Sequence, residues 1–92
     1  MIKSFRHKGL RLFFEDDDGS KLPSEMLDRI RLILSTLHAA QEIDGMKVPT
    51  FGLHTLKGEF KGFLSVTVRA NWRIIFKFED GNAFDVDFKD YH

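Results

Sequence analysis

The sequence predicts an α+β fold in which two early helices cover one face of an antiparallel sheet, and three observations carry that expectation. Three stretches in the second half alternate apolar and polar residues with the two-residue period of half-buried strands. One stretch in the first half sets Leu27, Ile30, Leu34 and Leu37 at three- and four-residue steps, with Met26 and Ile33 beside them, as a helix with one apolar face requires. Between the last two alternating stretches stands Asp80-Gly81, a hairpin signal because both residues tolerate positive φ.

Taken in order, Met1 to Arg6 contains Ile2 and Phe5 and predicts a short first strand. Leu10, Phe13 and Phe14 then fall at helical spacing and predict a short helix ahead of the acidic block Glu15 to Asp18. Asp18-Gly19-Ser20 reads as a turn, and Pro23 suits the first position of the second helix, where its missing N–H costs nothing. Periodicity is lost from Gln41 to Phe60, where Gly45, Pro49, Gly52 and Gly58 mark a loop with a brief strand near Leu53 to Leu56.

The three strands follow. Leu64, Val66 and Val68 alternate with Ser65, Thr67 and Arg69; Trp72, Ile74, Phe76 and Phe78 with Arg73, Ile75 and Lys77; Phe84, Val86 and Phe88 with Asp85 and Asp87. The first-named set of each is expected under the helices, and the second set on an opposite, polar face better suited to chemistry. The order is β-α-α-β-β-β, in one compact domain spanning residues 1–92.

Composition excludes several function classes. The chain has no Cys, which removes disulfides, thiolate metal sites and cysteine nucleophiles and is compatible with a reducing cytosol. No apolar run exceeds three residues, far below a membrane span, and the cytoplasm is the expected location. His7, His38, His54 and His92 show no metal-ligand spacing, so no metal and no other cofactor is expected. Ser4, Ser20, Ser24, Ser35 and Ser65 lack a nucleophile-elbow context, and there is no Gly-rich phosphate loop.

Formal net charge is zero, yet Lys47, Lys57, Lys61, Arg69 and Arg73 stand against the single acid Glu59 between positions 47 and 73. A neutral chain with such a middle can present a cationic face to phosphate.

That segment is bounded by His54-Thr55-Leu56-Lys57-Gly58 and Arg69-Ala70-Asn71-Trp72-Arg73, and the chain closes on Asp90-Tyr91-His92. With Met1-Ile2-Lys3-Ser4-Phe5 and Val66-Thr67-Val68 before Arg69, these stretches resemble HigB-type toxins of the RelE/ParE superfamily along nearly the whole chain, least so at Glu15 to Lys21 and Gln41 to Thr50. The resemblance implies a RelE-like fold and the toxin of a type II toxin-antitoxin system, a metal-independent endoribonuclease that cuts messenger RNA on the ribosome. It implies His54, Asp90, Tyr91 and His92 as the catalytic set, Lys57 and Arg73 as the residues that hold phosphate, and a helix-turn-helix antitoxin as partner.

The inventory suits cleavage by the RNA's own 2′-hydroxyl, which needs a base, an acid and cations for the crowded phosphorane. His54 and His92 are the expected acid-base pair, in either assignment. From the residues alone, His54 also fits a loop cap, Arg73 an exposed strand residue, and Tyr91 with His92 a frayed tail. Two other functions fit the same fold: a ParE-like topoisomerase inhibitor, which has no chemical use for His54 with Asp90-Tyr91-His92, and a noncatalytic RNA-binding domain, which would bind without cutting.

Overall fold

The structure is a computed structural model describing residues 1–91; His92, expected in the catalytic set, lies outside the described residues. Helix α1 spans Lys8–Asp16 and helix α2 spans Leu27–Ala39. The strands are β1 (His54–Thr55), β2 (Leu64–Arg69), β3 (Trp72–Glu79) and β4 (Asn82–Asp90), in spatial order β1-β2-β3-β4 and antiparallel throughout. The helices lie on one face, as the sequence predicts. Leu10, Phe13, Ile30, Ile33, Leu34 and Leu37 meet Val66, Val68, Ile74, Phe76, Val86 and Phe88 in a single core. No helix among the described residues is long and apolar enough to cross a membrane.

The turns follow their residues. Asp80 and Gly81 both take positive φ, 51° and 78°, the geometry of a two-residue hairpin whose twist matches its strands. Pro23 stands four residues before α2 instead of at its first position, extended ahead of a single tight turn at Ser24–Met26 that leads into the helix.

The simple alternation is broken after Thr67, where a register shift sets Arg69 opposite Trp72 instead of on the polar face, and at two further places. Phe84 is expected in the core, but Ala83 takes that place, fully buried opposite Phe78, while Phe84 sits opposite Lys77 on the other face. The cause is an extra residue: Asp85 adopts φ 53° and bulges out of the ladder between the Ile75 and Lys77 pairings, which shifts the alternation by one. The predicted first strand is affected by the same bulge. Met1 to Arg6 does run beside β4, in parallel, but it pairs only at Ile2 with Ala83 and at Phe5 with Val86, skipping the bulged residue. Ser4 fills the gap by accepting the Asp85 backbone N–H at 2.9 Å through its hydroxyl.

This N-terminal segment delivers His7 to the start of α1, where its Nδ1 accepts the Leu10 backbone N–H at 3.2 Å and caps the helix. Gly9 leaves room for the ring, since a Cβ there would stand 2.9 Å from His7 Cε1. Burial pushes the His7 pKa below its ordinary 6.5, more than nearby Asp87 raises it, with Lys89 lowering it further. The folded state therefore binds fewer protons than the unfolded chain. The stability this contributes is complete above about pH 6.5 and declines as pH falls below it. His7→Ala is expected to cost about 1 kcal/mol by urea denaturation at pH 7.5. His7→Asn, which caps without titrating, is expected to flatten the fall in stability between pH 7 and 5; an unchanged slope would refute the assignment to His7.

Candidate active site

The strand register brings distant positions onto one row. His54 pairs with Ser65, Ser65 with Ile75, and Ile75 with Asp87, and directly opposite residues of antiparallel strands share a face. This row lies on the side away from the helices. The next row along that face holds Thr67, Arg73 and Lys89. Tyr91 continues the alternation beyond Lys89, tied down by its backbone N–H, which donates to the Asn71 carbonyl at 2.8 Å. Of the expected site residues, His54, Arg73 and Tyr91 thus share a face. Two strand spacings and two residues along the strand separate His54 from Arg73, about 12 Å between Cα atoms. Lys57 is exposed at the head of the tight turn Gly58–Phe60 beside them. Asp90 takes a different position, opposite Trp72 in the register and on the side where Trp72 stacks on core Phe88 at 4.5 Å.

His54 is exposed, and its Nδ1 lies 2.9 Å from the Gly52 carbonyl oxygen. A carbonyl only accepts, so in the neutral ring Nδ1 carries the proton and Nε2 presents its lone pair to solvent, the arrangement a general base requires. Arg73 is oriented by two backbone carbonyls, donating from Nη1 to Ala70 at 2.6 Å and to Trp72 at 3.2 Å. Burial raises the Tyr91 pKa, and Glu59 raises it further, so the phenol keeps its proton across the neutral range and acts as a hydrogen-bond donor.

The face is less open than alternation alone suggests. Ile75, Ser65, Asp87 and Phe63 are all buried there. Their cover is the segment after β1: Phe60 meets Phe63 edge-on at 6.0 Å and Tyr91 edge-on at 6.2 Å. Cations lie over these rings, Lys77 and Arg6 over Phe63 at 5.1 and 5.3 Å and Lys89 over Phe60 at 5.6 Å. Among the described residues, no group of three His, Cys, Asp or Glu side chains is placed to hold a metal ion.

Comparison with known proteins decides the family. The model of HigB-like toxins, described as the RelE-like toxin of the type II toxin-antitoxin system HigB, matches residues 3–92. The chain belongs to the HigB-like toxin family. It is 47% identical to Endoribonuclease HigB of Proteus vulgaris over 92 residues, all of both chains, and 33% identical to Toxin HigB-1 of Vibrio cholerae serotype O1 over 87 residues, 92% of each. Solved structures share its fold at low identity. YafQ from E. coli superposes with TM-score 0.62 at 14% identity, over 98% of this chain and 91% of that one. YoeB in its heterotetrameric complex with YefM from Staphylococcus aureus gives 0.63 at 17%, over 100% and 95%.

Sequence reading placed Thr67, Arg73 and Lys77 of this HigB-like toxin on the face away from the helices but missed the residues that close it. Phe60 and Phe63 carried a signal, being large apolar residues inside a Gly-punctuated loop that must cover something. Ser65 carried none. Its hydroxyl, opposite His54 and 1% exposed, is the one buried side-chain polar atom with no hydrogen-bond partner among the described residues. An unpaired buried hydroxyl costs roughly 1–3 kcal/mol. Ser65→Ala is therefore expected to stabilise the toxin by about 1 kcal/mol in urea denaturation. A loss of that size would mean that the hydroxyl is bonded after all.

Proposed function

We propose that this HigB-like toxin cleaves messenger RNA on the ribosome, by attack of the RNA's own 2′-hydroxyl with histidine acid-base catalysis and no metal. Endoribonuclease activity is supported by the family and by the full-length likeness to the Proteus vulgaris enzyme. The observation that carries the mechanism is the 2.9 Å contact of His54 Nδ1 with the Gly52 carbonyl, which favours the tautomer with Nε2 unprotonated, at a position on the same face as Arg73 and Tyr91.

In the proposed step, His54 Nε2 takes the 2′-hydroxyl proton as the O2′–P bond forms and the P–O5′ bond breaks, leaving a 2′,3′-cyclic phosphate. The departing 5′-oxygen takes its proton from His92. The phosphorane's charge is met by the Arg73 fork and by Lys57, and Tyr91 donates a hydrogen bond or stacks on a neighbouring base. Asp90, on the other face of the sheet from His54 and two residues before His92 in the sequence, orients the His92 imidazole. Two imidazoles cover both proton transfers and the cations cover the charge, so the chemistry needs no metal.

The ribosome enters because a chain of zero net charge lacks the attraction of a general nuclease for RNA. Orientation then comes from the messenger held in the decoding site. The partner in the cell is an antitoxin, as for the YoeB–YefM pair in Staphylococcus aureus, here of the helix-turn-helix class and meeting the toxin in the cytoplasm.

The test is to incubate the purified toxin with translating ribosomes and map messenger ends. His54→Ala is expected to lower single-turnover cleavage about 10²- to 10⁴-fold while remaining folded, and free RNA of the same sequence to be cut far more slowly than ribosome-bound RNA. A folded His54→Ala variant cleaving at the wild-type rate would remove the base, and equal rates on free and bound RNA would remove the ribosome's role.

A further inference from the structure

The backbone around His54 contains an interruption that its own residues do not account for. Leu56 donates its N–H to the Phe63 carbonyl at 3.0 Å, and bonded pairs recur every second residue in an antiparallel ladder. His54 with Ser65 is the next such pair, and Gly52 with Thr67 would follow. The ladder stops instead. Thr67 gives its N–H to the Phe51 carbonyl at 2.7 Å, one residue early, and Gly52 turns away at φ 60°. The Gly52 carbonyl, left outside the ladder, is the one that receives His54 Nδ1.

The slip leaves the Thr67 carbonyl without a strand donor, and Arg29 supplies one from helix α2. Its Nη2 donates to the Thr67 carbonyl at 2.9 Å and to the Thr50 carbonyl at 2.7 Å, its Nη1 donates to the Thr50 hydroxyl at 3.0 Å, and its guanidinium carbon lies 5.1 Å from the centre of the Phe51 ring. One side chain therefore takes the place of a missing backbone N–H and clamps residues 50 and 51 to the sheet.

We infer that Arg29 is a positioning residue: by ending the β1–β2 ladder at His54 it releases the Gly52 carbonyl, which holds the imidazole in the tautomer with Nε2 unprotonated. The inference rests on the reading of His54 as the base. Arginine is required because a planar fork meets three acceptors at once, whereas a lysine ammonium is a single point.

The imidazole tautomer can be read directly, by long-range nitrogen–proton NMR on the purified full chain labelled in its histidines. The wild type is expected to show His54 in its neutral form with the proton on Nδ1. In Arg29→Gln the signal should move toward a mixture of both tautomers, and Arg29→Lys should fail to restore it. Single-turnover cleavage of ribosome-bound messenger should fall about a hundredfold, as misplacing a catalytic group by an ångström does, with ribosome affinity unchanged. A folded Arg29→Gln protein that keeps both the wild-type tautomer signal and the wild-type rate overturns the inference. If that variant does not fold, Thr50→Val, which removes only the Nη1 acceptor, serves in its place: an unmoved His54 signal there counts against the clamp. The two readings fail separately. Wild-type cleavage by His54→Ala would end the catalytic reading, while the tautomer signal would still report whether Arg29 sets the ring.

Discussion

A chain of 92 residues that builds a four-stranded antiparallel sheet has enough helix to cover only one side of it, and the rest of the structure follows from that shortage. The apolar stripes of α1 and α2 go to the Val66, Ile74 and Phe76 side. The opposite side must be finished by short segments: a tight turn bearing Phe60, the start of β2 at Phe63, and the long stems of Arg6, Lys77 and Lys89 laid over those rings. Such a covering leaves cationic heads at the surface by construction. The same economy that completes the fold also supplies a positive, aromatic-lined face, and His54, Arg73 and Tyr91 stand on it.

How much of this was legible in the sequence depends on the range of the interaction. The α2 stripe, the three long strands and the Asp80-Gly81 hairpin are set by near neighbours and by one repeating period, so they could be read residue by residue. The place of Phe84 could not, because Asp85 in the left-handed region is stabilised by Ser4, which is 81 positions away. Nor could the first segment's pairing, which depends on the same bulge. For the site, the residues alone marked the basic stretch that holds His54, Lys57 and Arg73, while their roles and those of Asp90, Tyr91 and His92 came through the resemblance. Arg29 was invisible. On α2 it reads as one of several surface cations, and its three acceptors come from residues 50 and 67.

Electrostatically, the molecule reaches local contrast without net charge. Glu15 to Asp18 lies at the end of α1, where Arg31 pairs with Asp17 at 2.9 Å, while Arg73, Lys77 and Lys89 stand on the sheet face away from the helices. Pairs such as Lys89 with Asp87 at 3.6 Å temper that face without neutralising it. Pairs whose members are both exposed, such as Arg31 with Asp17, add little to stability. Their effect is on what the surface attracts, and they keep the attraction moderate, consistent with a substrate delivered by another particle instead of captured from solution.

The bulge at Asp85 has a consequence for how copies of this protein treat one another. Sheet edges with a continuous row of backbone donors and acceptors recruit further strands and lead to aggregation. Here one edge, β1, is two residues long, and the other is occupied by the N-terminal segment, gripped at Ala83 and Val86 on either side of the bulge. Among the described residues, neither β1 nor the β4 edge offers a long open run for strand addition. A toxin built this way leaves a second copy few backbone sites at which to add a strand, so its own sheet edges give it little means of clumping.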